Sequence, residues 1–173
     1  LPWSDWHLPW FANLLGCSLA HRVIHFQRIL NHQHIRVLPP ITLPSSSYRE
    51  IRHWAYAFEG DSEALRAYTY HGAELGMGAL STLISLTGYS AYAAETDLPR
   101  VRRCLLSAVI VYKRTQALLS SIKPDVVITF NGRFATSKPI IEAAAATGIP
   151  ALRHERGSTL SLIHISEPTR PER

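Results

Sequence analysis

The chain has 173 residues, is 46% hydrophobic and 18% charged, and carries a formal net charge of +5 at pH 7. This length is typical of one domain, and the apolar fraction argues against wholesale disorder. No uninterrupted apolar run reaches the roughly 18 residues that a membrane-spanning helix needs. Two cysteines, Cys17 and Cys104, are too few for a disulfide framework and favour a reducing compartment. The basic residues are scattered, which favours a solvated helix face over nucleic-acid binding and leaves attraction to sugar nucleotides or a phospholipid surface open.

The first 46 residues are predicted to be an irregular and helical segment of a truncated domain. A helix is predicted over residues 18–31, because its apolar residues follow at spacings of four, three and four. These residues are Leu19, Val23, Phe26 and Leu30. Residues 35–38 are predicted to form a short strand, and the Pro- and Ser-rich stretch 39–47 a loop.

Three more helices are predicted from their end signals. Ser47 and Glu50 have the spacing of a capping box that opens a helix reaching Phe58, and Asp61 or Ser62 caps the next one. A helix over residues 73–86 contains two glycines, Gly76 and Gly78. Each glycine costs about 1 kcal/mol of helix propensity, so we expect close backbone packing there in compensation.

A long amphipathic helix is predicted to begin after Asp97 and to end near Lys123 and Pro124. Pro99 suits its first turn, and an apolar row lines one of its faces. The row consists of Val101, Leu105, Ala108, Tyr112, Thr115 and Leu119.

The next stretch predicts a strand–helix–strand unit. Residues 125–130 are apolar and rich in β-branched side chains, the pattern of a strand buried on both faces. A turn at 131–133, a helix that begins at Ser137 and ends at Gly148, and a strand over 149–154 complete a parallel βαβ unit. The predicted fold class is therefore α/β, with a partial Rossmann-like domain, this C-terminal βαβ unit and several helices.

Residues 160–170 resemble one reading-frame translation of a transposase adapter used in sequencing libraries. We therefore expect residues 160–173 to be a non-native tail and the natural sequence to be interrupted after Thr159. His164 and Glu167 are then excluded from any site, and the tail is expected to pack poorly or not at all.

Two polar clusters follow the two predicted strands, where ligands of parallel sheets bind. They comprise Asn131, Gly132 and Arg133, and then His154, Glu155, Arg156, Gly157 and Ser158. Because both strands run the same way, we expect the clusters to be neighbours. The two arginines can bind phosphate, carboxylate or sugar hydroxyls, Glu155 is a candidate general base, and His154 a candidate acid or base. Alternatively, Asn-Gly is an ordinary turn pair and Glu155 forms an ion pair that holds the two loops together.

Other candidate sites are weaker. His21 and His25 are spaced as zinc ligands on a helix but have no matching carboxylate or cysteine pair, so no metal site is predicted. Tyr68, Tyr70 and His71 can line a cleft, with core packing as the alternative. The sequence contains no phosphate-binding loop, dinucleotide-binding or hydrolase-elbow motif.

Two stretches resemble a known group of proteins. The first stretch runs from Tyr68 through Tyr70, His71, Gly72 and Glu74 to Gly76, and Ser81 follows a little later. The second stretch is 123–134, followed by Glu142, Gly148, Ile149 and 154–158. Together they resemble bacterial capsular and surface polysaccharide biosynthesis proteins, which are glycosyltransferases of the GT-B type built from two Rossmann-like domains. The resemblance covers residues 47–159; before them only Cys17 is similar.

The resemblance implies transfer of an activated sugar to a growing surface glycan. It implies that 47–159 form part of the first, acceptor-side domain, with Tyr70 and Gly72 added to the substrate-binding residues. The nucleotide-sugar donor would bind mainly in a second domain, so we expect this chain to be inactive alone. The resemblance also implies a glycan or lipid-linked acceptor, no nucleic-acid partner, and no metal or other cofactor. It implies a cytoplasmic location with possible peripheral contact at the inner face of the membrane.

Two other functions remain open. One is a non-catalytic Rossmann-like domain that binds or scaffolds partners in polysaccharide assembly, in which Glu155 and Arg156 are structural. The other is an epimerase-like or sugar-nucleotide hydrolase activity, whose phosphate-binding loop would follow Thr159.

Overall fold

A computed structural model describes residue 38, residues 41–156 and residues 161–166 of the chain, with side chains described as far as His154. The helices are α1 (Ser45–Tyr56), α2 (Ser62–Ala67), α3 (Leu75–Thr87), α4 (Leu98–Ile122) and α5 (Lys138–Thr147), with a 3₁₀ turn at Ala94–Asp97; the strands are β1 (Val127–Phe130), β2 (Ala151–Arg156) and β3 (Ser161–Ser166). The predicted helix over 18–31 and the histidine pair within it lie outside the described residues, as does most of the predicted strand at 35–38.

The predicted βαβ unit is confirmed. Strands β1 and β2 are parallel, with Val127 opposite Ala151 and Phe130 opposite His154. Helix α5 connects them and packs on the sheet through Ile141. Its left-handed end at Gly148, with φ of +70°, reverses the chain into β2. Helices combined with parallel strands agree with the predicted α/β class.

The prediction that the first strand is buried on both faces is wrong. Thr129 is buried, but Ile128 is 68% and Phe130 56% exposed. Successive side chains of a strand point to opposite faces, and within the described residues the helices cover only the face that bears Thr129. Burial in the described core therefore does not by itself account for the apolar composition of residues 125–130.

Strand β2 is longer than predicted and is followed by a third strand. Glu155 and Arg156 belong to β2 rather than to a loop after it. Ser161–Ser166 pairs antiparallel with β2, so the expectation that this segment packs poorly or not at all is wrong for its backbone. An edge strand offers unpaired N–H and C=O groups that accept any extended segment, whatever the origin of its side chains.

The helix ends confirm two of the predicted caps and contradict a third. Asp61 accepts a hydrogen bond from the backbone of Ala64 at 2.8 Å, and Asp97 accepts one from Arg100 at 3.3 Å. The capping box of Ser47 and Glu50 is wrong, because α1 begins earlier, after Pro44, with no side-chain cap. The carboxylate of Glu50 has other partners, described below.

Helix α4 lies in the centre of the core. It packs against α1, α3 and α5, and its buried residues belong to both hydrophobic clusters of the described chain. They are Val101, Leu105, Ala108, Val109, Tyr112 and Leu119. This row agrees with the face predicted from the sequence except at Thr115, which is half-buried.

Gly76 confirms the expected close backbone packing in α3. A Cβ atom at this position would lie 2.0 Å from the carbonyl oxygen of Leu65 and 2.7 Å from that of Tyr68. The backbone N–H of Gly76 donates to the Tyr68 carbonyl at 2.9 Å. Only glycine therefore lets the end of α2 approach α3 so closely.

We predict that Gly76→Ala lowers the free energy of unfolding by about 3 kcal/mol or more, because the added methyl group collides with two backbone oxygens. Urea denaturation measures the change. Gly78→Ala is the matched control: its nearest contact would be 3.1 Å, to the Lys138 Cβ, and its gain in helix propensity of about 1 kcal/mol offsets the crowding. Equal losses in the two variants would contradict the prediction.

Candidate functional site

The first predicted polar cluster lies at the carboxyl end of β1, next to His154 of β2. The backbone N–H of Asn131 donates to the carbonyl of His154 at 2.8 Å, and that of Gly132 donates to Phe130 at 2.7 Å. Asn131 and Gly132 both have positive φ, +64° and +76°. A Cβ at Gly132 would lie 3.1 Å from the Cδ of Arg153, so this turn packs directly on the β2 side chain.

A cavity opens beside the Arg133 side of this turn. It has a volume of about 310 Å³ and is lined by Ser81, Ile84, Ser85, Arg133 and Phe134. The guanidinium of Arg133 lies 5.3 Å from the centroid of the Phe134 ring, within range of a cation–π interaction. The walls therefore come from α3 and from the loop that follows β1.

Two hydrogen bonds hold the loop in place. The Thr82 hydroxyl accepts the backbone N–H of Ala135 at 2.8 Å while donating to the carbonyl of Gly78 at 2.9 Å. The Ser137 hydroxyl accepts the backbone N–H of Phe134 at 3.2 Å. The loop is thus fixed between α3 and the start of α5.

An ion cluster joins the residue that precedes α3 to α5. The Lys138 Nζ lies 2.8 Å from Glu74 Oε2 and 2.9 Å from Glu142 Oε1. Burial by itself lowers the pKa of Lys138, but its hydrogen bonds to the two carboxylates raise the pKa overall, and the bond from Lys138 lowers the pKa of Glu74. Lys138 and Glu74 therefore form a charged pair at neutral pH, and Lys138 links the residue before α3 to the first turn of α5.

A second polar arrangement surrounds a tight turn. Tyr70 and Ala73 exchange backbone hydrogen bonds of 2.9 and 3.0 Å around His71 and Gly72, whose φ angles are +48° and +84°. Two successive positive φ values are typical of a type I′ turn, a geometry that histidine adopts less readily than glycine or asparagine. The strained backbone places the His71 ring in solvent.

Glu50 connects this turn to helix α1. The hydroxyl of buried Tyr70 donates to Glu50 Oε1 at 2.5 Å, and His71 Nε2 lies 3.3 Å from the same oxygen. The hydrogen bond from Tyr70, followed by that from His71, lowers the pKa of Glu50. Burial, followed by the bond to Glu50, raises the pKa of Tyr70. The carboxylate is therefore charged and aligns both side chains.

Aromatic rings pack against the residues that precede His71 in this turn. The Trp54 ring stacks on Tyr68 at 4.6 Å and meets Tyr70 edge-on at 5.1 Å. Trp54 Nε1 also donates to the carbonyl of Thr69 at 3.1 Å. These contacts fix the backbone on either side of His71.

The contact of Glu50 with this turn was not predicted, because the sequence pattern assigned Glu50 to a helix cap. Its partners Tyr70 and His71 are 20 and 21 positions further along the chain, and no local spacing indicates such a contact. His71 followed by Gly72 was the available signal for a turn with positive φ.

The predicted site residues fall into four groups. Asn131, Gly132 and Arg133 come together at the turn after β1, and Gly72 lies exposed in the turn that Tyr70 anchors in the core. His154 is exposed on the open face of the sheet, with its ring 6.3 Å from that of Phe130. The side chains of Glu155 and Arg156, together with Gly157 and Ser158, lie outside what the structure describes, so their assigned roles stay predictions.

The described part of the chain contains no group of three or more side chains suited to hold a metal ion. No helix within that part is long and apolar enough to cross a membrane. Comparison with protein-family models, with curated proteins and with solved structures finds no match to the chain.

We predict that Tyr70→Phe lowers the free energy of unfolding by about 1 kcal/mol at pH 7, through loss of the hydrogen bond to charged Glu50. The folded-state pKa of Glu50 is lowered, so this stabilisation is present above the pKa of an unfolded glutamate, about 4.3, and is lost as the pH falls through the lower folded value. Denaturation of both proteins between pH 7 and pH 3 measures the difference. Exposed Tyr89, changed to Phe, is the control, and a difference for Tyr70→Phe that does not shrink in acid would contradict the assignment.

Proposed function

We propose that this chain forms the saccharide-binding side of a glycosyltransferase that acts in bacterial surface polysaccharide biosynthesis. One observation carries the proposal: the cavity beside Arg133 lies at the carboxyl end of a parallel strand. Ser81, which belongs to the first of the two stretches that resemble polysaccharide biosynthesis proteins, is part of its wall. Ligands of open parallel sheets bind beyond this end of the strands. The finer assignment to a Rossmann-like domain of a GT-B enzyme belongs to the same proposal.

The lining of the cavity has the chemistry that a sugar requires. The Arg133 guanidinium supplies several N–H donors, and the hydroxyls of Ser81 and Ser85 can both donate and accept. Phe134 and Ile84 offer apolar surface for the C–H face of a sugar ring. A few polar groups on a partly apolar wall are typical of small-molecule sites.

In this proposal, the residues at the end of β2 act on the sugar that the cavity holds. Glu155 would accept the proton of the attacking hydroxyl. A role for His154 as an acid or base would require substrate to reach the open face of the sheet, where its ring lies. Arg156, Gly157 and Ser158 would contact substrate. The partners would be a nucleotide-sugar donor and a glycan or lipid-linked acceptor, at the inner face of the cytoplasmic membrane.

A second candidate function is favoured by a different observation. Val126, Ile128 and Phe130 are 40%, 68% and 56% exposed. They are every second residue along β1 and the position before it, so they share one face of the strand. Exposed apolar surface of this kind is typical of protein interfaces. A non-catalytic scaffold in polysaccharide assembly would use this surface and would need no sugar in the cavity.

We expect saturation-transfer NMR to detect binding of monosaccharides from a panel of neutral and charged sugars. Phe134→Ala and Ser81→Ala should each weaken the binding by about tenfold, equivalent to about 1.4 kcal/mol of lost contact. Tyr89→Ala, which removes an exposed ring outside the cavity, should leave binding unchanged. If the folded protein binds none of the sugars, the saccharide proposal fails and the scaffold is favoured.

A further inference from the structure

We propose that the outer face of helix α1 holds a second site, which binds a negatively charged phosphate group of a ligand. The proposal does not rest on the saccharide cavity beside Arg133, because the two cavities share none of their described lining residues. The second cavity has a volume of about 440 Å³ and is lined by Arg49, Arg52, His53, Tyr56 and Ala57.

The four longer side chains of this lining lie on one face of α1. Their positions follow the spacing i, i+3, i+4 and i+7, which returns to the same side of an α-helix. All four residues are exposed, whereas Ile51 and Ala55 are fully buried on the opposite side of the helix. Because the core holds α1 from behind, the exposed side chains project from a fixed backbone.

Arg49 and Arg52 supply the hydrogen-bond donors that a phosphate group needs. A guanidinium is permanently charged, and its planar fork matches two phosphate oxygens. The guanidinium carbon of Arg52 lies over the Tyr56 ring, 5.4 Å from its centroid. This cation–π contact leaves the N–H groups at the edge of the guanidinium available to a ligand. His53 adds an N–H donor whether or not it is protonated.

No described carboxylate competes for the two arginines. Within residues 41–154, no Asp or Glu lies within ion-pair distance of Arg49 or Arg52, and the described lining of the cavity contains none. The cavity therefore has three donor side chains and no negative charge. A phosphate group with three terminal oxygens matches this set better than a carboxylate with two.

The carboxylate of α1 itself is bound elsewhere. Glu50 Oε1 accepts a hydrogen bond from Tyr70 at 2.5 Å and lies 3.3 Å from His71 Nε2. These two contacts, and then the charge of Lys113, lower the pKa of Glu50. The two arginines of α1 and Lys113 carry three positive charges against the one negative charge of Glu50, which leaves a net charge of +2.

The carboxylates that follow α1 do not reverse this charge. Glu59 pairs with Arg102 at 3.3 Å, and Glu63 pairs with Arg66 at 3.8 Å. Asp61 caps α2 and has no basic partner among the described residues. With these two neutral pairs and Asp61 included, the net charge is still +1.

The phosphate group can belong to a soluble ligand or to the headgroup of a lipid, since both present the same oxygens to the arginines. The volume of about 440 Å³ lies within the usual range for ligand sites, about 300–1,000 Å³. The cavity therefore has room for a phosphate together with a small attached group.

Two binding assays test the site and distinguish the sources. Isothermal titration calorimetry compares glycerol phosphate with glycerol, and co-sedimentation compares phosphatidylcholine vesicles with and without phosphatidic acid. We expect at least one phosphate-bearing probe to bind about tenfold or more tightly than its matched partner. Tighter binding of the phosphatidic acid vesicles than of glycerol phosphate identifies a lipid source, and the reverse identifies a soluble ligand. Added salt should weaken either interaction, because it screens exposed charges.

Arg49→Gln and Arg52→Gln should each weaken the binding by about tenfold, equivalent to about 1.4 kcal/mol. Arg49→Lys should weaken it less, because the ammonium keeps the charge but lacks the planar fork. Arg103→Gln is the matched control: it removes the same charge from an exposed position on α4 outside the cavity, and should leave binding unchanged. Circular dichroism shows whether each variant is folded.

The outcomes also separate this site from the saccharide proposal. Equal losses in Arg103→Gln and in the two α1 variants would show that net charge alone attracts phosphate, and would overturn the site. Absence of a preference for both phosphate-bearing probes would overturn it as well. Monosaccharide binding should be the same in Arg49→Gln as in the unchanged protein, so either proposal can fail while the other stands.

Discussion

The burial of one side of helix α4 is the constraint on which the described structure depends. Burying a large apolar side chain contributes about 1.5–3 kcal/mol, and α4 buries a row of them from Val101 to Leu119. Helices α1, α3 and α5 all pack on this helix. Because α3 forms one wall of the candidate site and α5 directly follows the loop that forms the other, the position of that site depends on packing on α4.

Polar contacts then set the positions of α3 and α5 more finely. Lys138 is held by carboxylates from both sides, and removing one partner of such a half-buried contact would leave a charge poorly compensated. Gly76 has a complementary role, since its missing side chain allows the backbone of α2 to touch α3. The fold therefore combines a non-directional apolar core with a few contacts that tolerate little displacement, and the loop bearing Arg133 lies between them.

His71 shows how strain can be sustained in such a framework. Its left-handed backbone costs on the order of 1–3 kcal/mol, and the surrounding structure must offset that amount. Glu50, the Tyr70 hydroxyl and the stacked Trp54 and Tyr68 rings provide the contacts that do so. An exposed imidazole supported in this way is more constrained than an ordinary surface histidine, and Glu50 determines which ring nitrogen faces solvent.

The sequence by itself determined the features that depend on neighbours along the chain. The caps at Asp61 and Asp97, the end of α5 at Gly148, the βαβ order and the close approach at Gly76 follow from local hydrogen bonding, backbone conformation and hydrophobic period. The tertiary structure decided the partners of Glu50, the exposure of Ile128 and Phe130, the extension of β2 to Arg156 and its pairing with β3. It also brought Ser81 and Arg133 to one cavity, although they are far apart in sequence. Hydrogen-bond acceptors choose among all donors within reach, and burial depends on which surfaces come together, so neither is determined until the chain has folded.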